Sequence, residues 1–135
     1  MATGKATFQG RQQGINMADV ASIEEVLTGL EEYPGVSEAV LVSRSGMHIA
    51  GNVPKGAHAE TYVAMFAILL GAAETAISEL KEKLDTVVIN LERSRVMIVN
   101  NGPKALFVLR VTPDIDFNGL GDKLGEISQK LEGFL

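Results

Sequence analysis

The chain has 135 residues, with 12 Lys and Arg against 17 Asp and Glu, a formal net charge of −5, no Cys, no Trp, two His and 5% aromatic residues. That length suits one domain with one core. The absence of cysteine excludes a disulfide framework, a Cys-ligated zinc site, an iron–sulfur cluster and a thiol nucleophile. An acidic chain with few rings is also a poor match to nucleic acid, which calls for clustered Lys and Arg beside stacking aromatics.

Residues 1–16 contain Lys5 and Arg11 but no acid, and Gly, Gln and Thr are frequent. They read as a flexible tail ahead of a domain over 17–135. The domain then holds 10 basic residues against all 17 acidic ones, so the acidity belongs to it. The tail lacks the apolar core of a signal peptide. The longest uncharged stretch, 61–73, has thirteen residues, whereas a bilayer takes about 20. A cytoplasmic protein without a membrane span is expected.

Ser22-Ile-Glu-Glu25 has capping-box spacing, and Ile23, Val26, Leu27 and Leu30 follow as a helical stripe up to Tyr33-Pro34-Gly35. Residues 36–43 read as a strand, Arg44-Ser45-Gly46 as a turn and 47–51 as its hairpin partner. No proline interrupts 58–84, which reads as one long helix. Strands are expected over 86–92, 95–100 and 105–111, the last two joined by Asn101-Gly102-Pro103-Lys104. A final helix over 118–133 carries Leu120, Leu124, Ile127, Leu131 and Phe134 on one stripe, with Asp116 or Asn118 as its cap.

Residues 39–42 and 106–109 are apolar at consecutive positions, so both faces of those strands need cover. The strands at 86–92 and 47–51 alternate, as sheet edges do. Three helices can cover such a sheet with the long one on one face and the terminal two on the other, giving three layers. The third strand has no Pro, Lys or Gly to block its edge. On the long helix, Tyr62, Phe66, Leu70, Ala73, Ile77, Leu80 and Leu84 form the expected sheet-facing side. An opposed strip of Thr61, Ala64, Met65, Ile68, Gly71, Ala72 and Thr75 carries no charge. Small residues at this spacing let another backbone approach. The strip is expected to meet its copy in a symmetric dimer, beside edge pairing through the third strand at Thr86, Val88 and Asn90. Cover by residues 1–16 is the weaker reading, because they offer few apolar groups.

Several of these stretches together resemble a known family. Gly35-Val-Ser-Glu-Ala-Val-Leu-Val-Ser-Arg-Ser-Gly-Met-His-Ile-Ala50, the uncharged helix segment 62–73, the strand run ending at Val111 and Asn118-Gly-Leu-Gly121 are similar to the Roadblock/dynein-light-chain family in its prokaryotic branch. The resemblance covers about 18–134. It implies a profilin-like α+β domain of order α-β-β-α-β-β-β-α. The implied architecture is a three-layer α/β/α sandwich with a five-stranded antiparallel sheet ordered 2-1-5-4-3. It also implies homodimers through the third strands and second helices, and regulation or scaffolding of a Ras-like small GTPase docked on the paired helices. A larger oligomer, or a purely structural assembly subunit like the light-chain members, is the alternative.

The catalytic inventory is thin, and no enzyme activity, cofactor or metal is expected. Asp114 and Asp116 fit a helix entry better than acid/base work. His48 and His58 lack a third ligand, and His58 beside Glu60 reads as solvated. Gly119 and Gly121 miss dinucleotide spacing and suit a tight helix entry. Arg93 and Arg95 at a hairpin tip could reach a nucleotide as an arginine finger, but read first as solvated.

Overall fold

The computed structural model describes residues 17–134; the tail expected over 1–16 lies outside the described residues. Helix α1 spans Met17–Glu31. It begins well before the expected capping box, so Ser22 is interior. No breaker precedes Ser22 in this stretch, and Val20 extends the stripe of Ile23, Leu27 and Leu30 backward at helical spacing. Strands β1 (Val36–Ser43) and β2 (His48–Gly51) form the hairpin, and helix α2 spans Ala59–Ser78. Strands β3 (Thr86–Asn90), β4 (Arg95–Asn101) and β5 (Ala105–Val111) lead into helix α3 (Phe117–Leu131).

The five strands make one antiparallel sheet in the order β2-β1-β5-β4-β3. The doubly apolar strands are central, with Val40 opposite Val108 and Leu41 opposite Phe107. One face presents Ala39, Leu41, Met97, Phe107 and Leu109 to Ile23, Leu27 and Leu30 of α1 and Leu120, Leu124 and Ile127 of α3. The other presents Val40, Val42, Ile98, Leu106 and Val108 to Val63, Ala67 and Leu70 of α2. The fold is therefore the expected three-layer α/β/α domain.

Helix α2 is shorter than the expected 58–84. The chain leaves it through a turn in which Lys81 takes a φ of 59°. Leu84 then packs on the α2-side core from the linker, and Leu80, expected on the sheet, is 63% exposed. A helix continued to Leu84 would carry the chain past the sheet edge that β3 must join.

Side chains cap both later helices. His58, expected to be merely solvated, is the cap of α2: its Nδ1 accepts from the Thr61 amide at 3.3 Å. Asp116 caps α3, its Oδ1 accepting from the Gly119 amide at 3.1 Å. A side chain on Gly119 would strike the Tyr33 hydroxyl and the Asp116 carboxylate, whereas one on Gly121 would meet nothing within 4 Å, so only the first glycine serves the helix entry. Asp116→Ala is expected to cost about 1 kcal/mol, read as a lower urea midpoint with an unchanged slope.

Candidate protein–protein interface

Helix α2 buries one side on the sheet and leaves an apolar band on the other. Met65 is 53% exposed, Ile68 61% and Leu69 39%, and Thr61, Ala72 and Thr75 continue the band as small exposed residues. No charge occurs between Glu60 and Glu74. Ala64 is partly covered from within the chain: a Cβ built on Gly46 would lie 3.2 Å from the Ala64 Cα. The β1–β2 turn thus runs beside α2, and the next residue, Met47, is 69% exposed. Sequence reasoning missed Met47, having placed it in a strand, and it missed Leu69, which lies between the two helical strips. An exposed apolar cluster of this kind marks a contact surface.

The two sheet edges differ. At Gly51 on β2 both backbone groups are taken by the chain itself. Glu24 of α1 accepts from the amide, and His48 Nε2–H donates to the carbonyl at 2.8 Å. Glu31 accepts from the Ala39 amide at 3.3 Å and from the Asn52 side chain at 2.9 Å, fastening α1 across that end of the sheet. Strand β3 has no such cover: among the described residues nothing pairs with its outer edge. An open edge of this kind invites a further strand.

The sequence-derived interface residues fall into two sets. Thr61, Ala64, Met65, Ile68, Ala72 and Thr75 lie together on α2. Strand alternation places Thr86, Val88 and Asn90 on the opposite face of the sheet, because Val87 and Ile89 are the ones packed beneath α2. Val88, 44% exposed and opposite Met97, opens onto a groove of about 460 Å³ that Val99, Phe117 and Leu124 also line. Only the backbone edge of β3 joins the two sets.

One charged pair ties α2 to the sheet, and another joins β1 to β5 within it. Arg44 binds Glu74 and donates to the Asn100 side chain at 3.2 Å. Arg110 forks onto Glu38, Nε to Oε1 at 2.6 Å and Nη2 to Oε2 at 2.8 Å, and this hydrogen bond raises the Arg110 pKa. Burial pushes the nearby Tyr62 phenol up, with Glu38 adding and Arg110 opposing. The two candidate finger residues separate: Arg95 lies 5.2 Å from the centre of the Phe117 ring, while Arg93 is exposed and, among the described residues, pairs only with Glu92. Among the described residues no group of three His, Asp or Glu could hold a metal ion.

By length and composition α2 is long and apolar enough to cross a membrane, with a mean hydropathy of 1.5 over its most apolar window. Sequence reasoning counted only the uncharged stretch and missed this. Glu60 and Glu74 lie inside the helix, and its packing on the sheet together with the Arg44–Glu74 pair tie it into the domain.

The family model described as Roadblock/LC7 domain matches residues 22–110. The uncharacterized protein MJ0714 of Methanocaldococcus jannaschii is 33% identical over 88 residues, 64% of this chain and 75% of that protein. The gliding protein MglB of Thermus thermophilus superposes with a TM-score of 0.75 at 22% identity, covering 87% of this chain and 90% of the other. A Roadblock/LC7 domain from Streptomyces avermitilis gives 0.73 at 17% identity, over 82% and 95%. The sheet order, the layering and a family match across more than half of its length agree: the chain belongs to the Roadblock/LC7 domain family.

Proposed function

We propose that the chain is a non-catalytic homodimeric binding module that contacts a Ras-like small GTPase in the cytoplasm. The observation that carries this reading is the uncharged, exposed band of α2 combined with a β3 edge that is open among the described residues, while on β2 Glu24 and His48 take the backbone groups of Gly51. Two copies joined through β3 continue one sheet, and their α2 bands meet through residues such as Met65 and Ile68, so that the paired helices form a platform wider than either copy offers. Thr86, Val88 and Asn90 lie at the seam on the other face. The GTPase comes from the family resemblance, and MglB, a gliding protein, shares the fold. A platform that binds one nucleotide state better than the other shifts the GTPase toward that state with no catalytic group of its own.

The test is a pull-down with candidate Ras-like small GTPases of the source organism, each loaded with a GTP analogue or with GDP. Retention of one loaded form over the other is expected. Equal retention turns the reading toward a structural assembly subunit, and no retention in either form overturns the GTPase reading.

A further inference from the structure

A second surface feature lies on the α2 side of the sheet, between the loop that enters α2 and the tip of the β3–β4 hairpin. It is a pocket of about 420 Å³ lined by Lys55 and Pro54 from the loop, Leu91, Glu92, Arg93 and Ser94 from the tip, and Arg110 from β5. Three cations and one acid line it, with Arg110 already paired to Glu38, in a domain whose 10 basic residues are outnumbered by 17 acidic ones. The cations come from three separate segments, so no single charge run in the sequence produces the cluster.

Their hydrogen-bonding capacity is only partly used. Lys55 makes no ion pair or hydrogen bond among the described residues. Among the described residues Arg93 pairs only with its neighbour Glu92, with both side chains almost wholly exposed, a contact of little energetic consequence. Arg110 is held rigid by its fork onto Glu38, which uses Nε and Nη2 and leaves Nη1 without a partner among the described residues. A fixed guanidinium with a spare donor group, beside two exposed cations, suits a carboxylate. Leu91, 49% exposed, and Pro54 add apolar walls. Pro54 has no backbone N–H, and no glycine lines the pocket, so the donors on offer are side chains rather than the amide cradle that phosphates favour.

We propose that the pocket framed by Lys55, Arg93 and Arg110 is a carboxylate-binding subsite that takes an Asp or Glu, flanked by an apolar residue, from the protein docked on the α2 platform. The inference rests on the reading that the dimer docks a partner protein, and it adds where the partner's acidic segment lies. Leu91 continues the side of β3 that carries Val87 and Ile89, so the pocket opens on the same side of the sheet as the α2 band and next to the edge that pairs. A dimer would then present one such pocket on each copy, both close to the seam.

The subsite can be tested on the chain alone. Amide and side-chain resonances of Lys55, Arg93, Ser94 and Arg110 are followed by NMR while acetyl-Glu-Leu-Glu-Glu-amide or inorganic phosphate is added. Saturable shifts with the peptide, reduced in about 300 mM NaCl and absent in the Lys55→Glu/Arg93→Glu double variant, are expected. No shifts with the peptide, or saturation by phosphate at lower concentration than by peptide, overturns the proposal, the second result in favour of a phosphorylated ligand. Lys55 and Arg93 are exposed, so the double variant should fold, as an unchanged melting curve would show. A GTPase that passes the pull-down should bind the double variant about tenfold more weakly at low salt, the difference shrinking as salt rises. Equal binding with an equal salt dependence overturns the inference while leaving the GTPase reading intact.

Discussion

Gly51→Ala should lower the melting temperature by roughly 10–20 °C, corresponding to about 3–4 kcal/mol. Two effects add at this position. Its φ of +90° is a conformation that side chains resist, at a cost of about 1–2 kcal/mol. A Cβ there would also collide with the Ala39 carbonyl oxygen and come within 2.5 Å of Leu27 Cδ1. Leu27 can shift, but the Ala39 carbonyl is backbone of a central strand and already accepts from the Asn52 amide at 2.8 Å. Relief would have to come from separating β2 from β1, with further loss of the typical size for overpacking, about 1–3 kcal/mol. Gly56 supplies the control, because it has the same φ of +90° and open space within 4 Å. Gly56→Ala should therefore show only the conformational part. Equal losses in the two variants would mean that the close approach at Gly51 contributes nothing.

That contact also shows where sequence reading reaches its limit. Central and edge strands were legible because residues 39–42 and 106–109 are apolar on both faces while 86–90 alternates, a local pattern with a period of two. That pattern gave the edge strands and the layers, while the strand order came from the family resemblance alone. The difference between the two edges was not legible. It depends on Glu24 reaching the Gly51 amide across 27 residues of sequence, and on His48 folding back to a carbonyl three residues on. The end of α2 was missed because nothing in Leu80-Lys81-Glu82-Lys83 breaks a helix; the turn follows from the need to return Leu84 and Val87 to the core. Within the candidate interface, Met65 and Ile68 were visible as uncharged helical positions. The basic pocket was invisible, because Lys55, Arg93 and Arg110 meet only after the sheet has formed.

Ile68→Glu should convert the proposed dimer to monomer at micromolar concentration while leaving the folded domain unchanged. In the single chain Ile68 is 61% exposed and touches no buried cluster, so a glutamate there stays solvated and the melting curve of the monomer should hardly move. In a two-fold dimer every substitution occurs twice, so two carboxylates enter one contact. Each loses the burial of an isoleucine, worth about 1.5–3 kcal/mol when complete, and each adds the cost of desolvating a charge with no basic partner on the band between Glu60 and Glu74. Scaled to the 61% that the monomer leaves exposed and doubled, the apolar loss alone weakens association by roughly twentyfold to five-hundredfold. Sedimentation equilibrium measures the mass directly. Leu80→Glu is the control: Leu80 is just as exposed at 63%, but it lies twelve residues further along and beyond the last turn of α2. A monomer for Ile68→Glu and a dimer for Leu80→Glu locates the contact on the α2 band. Dimers in both cases would remove α2 from the interface and leave the β3 edge to account for self-association, and monomers in both would show that α2 contributes by general apolarity and not through a defined contact.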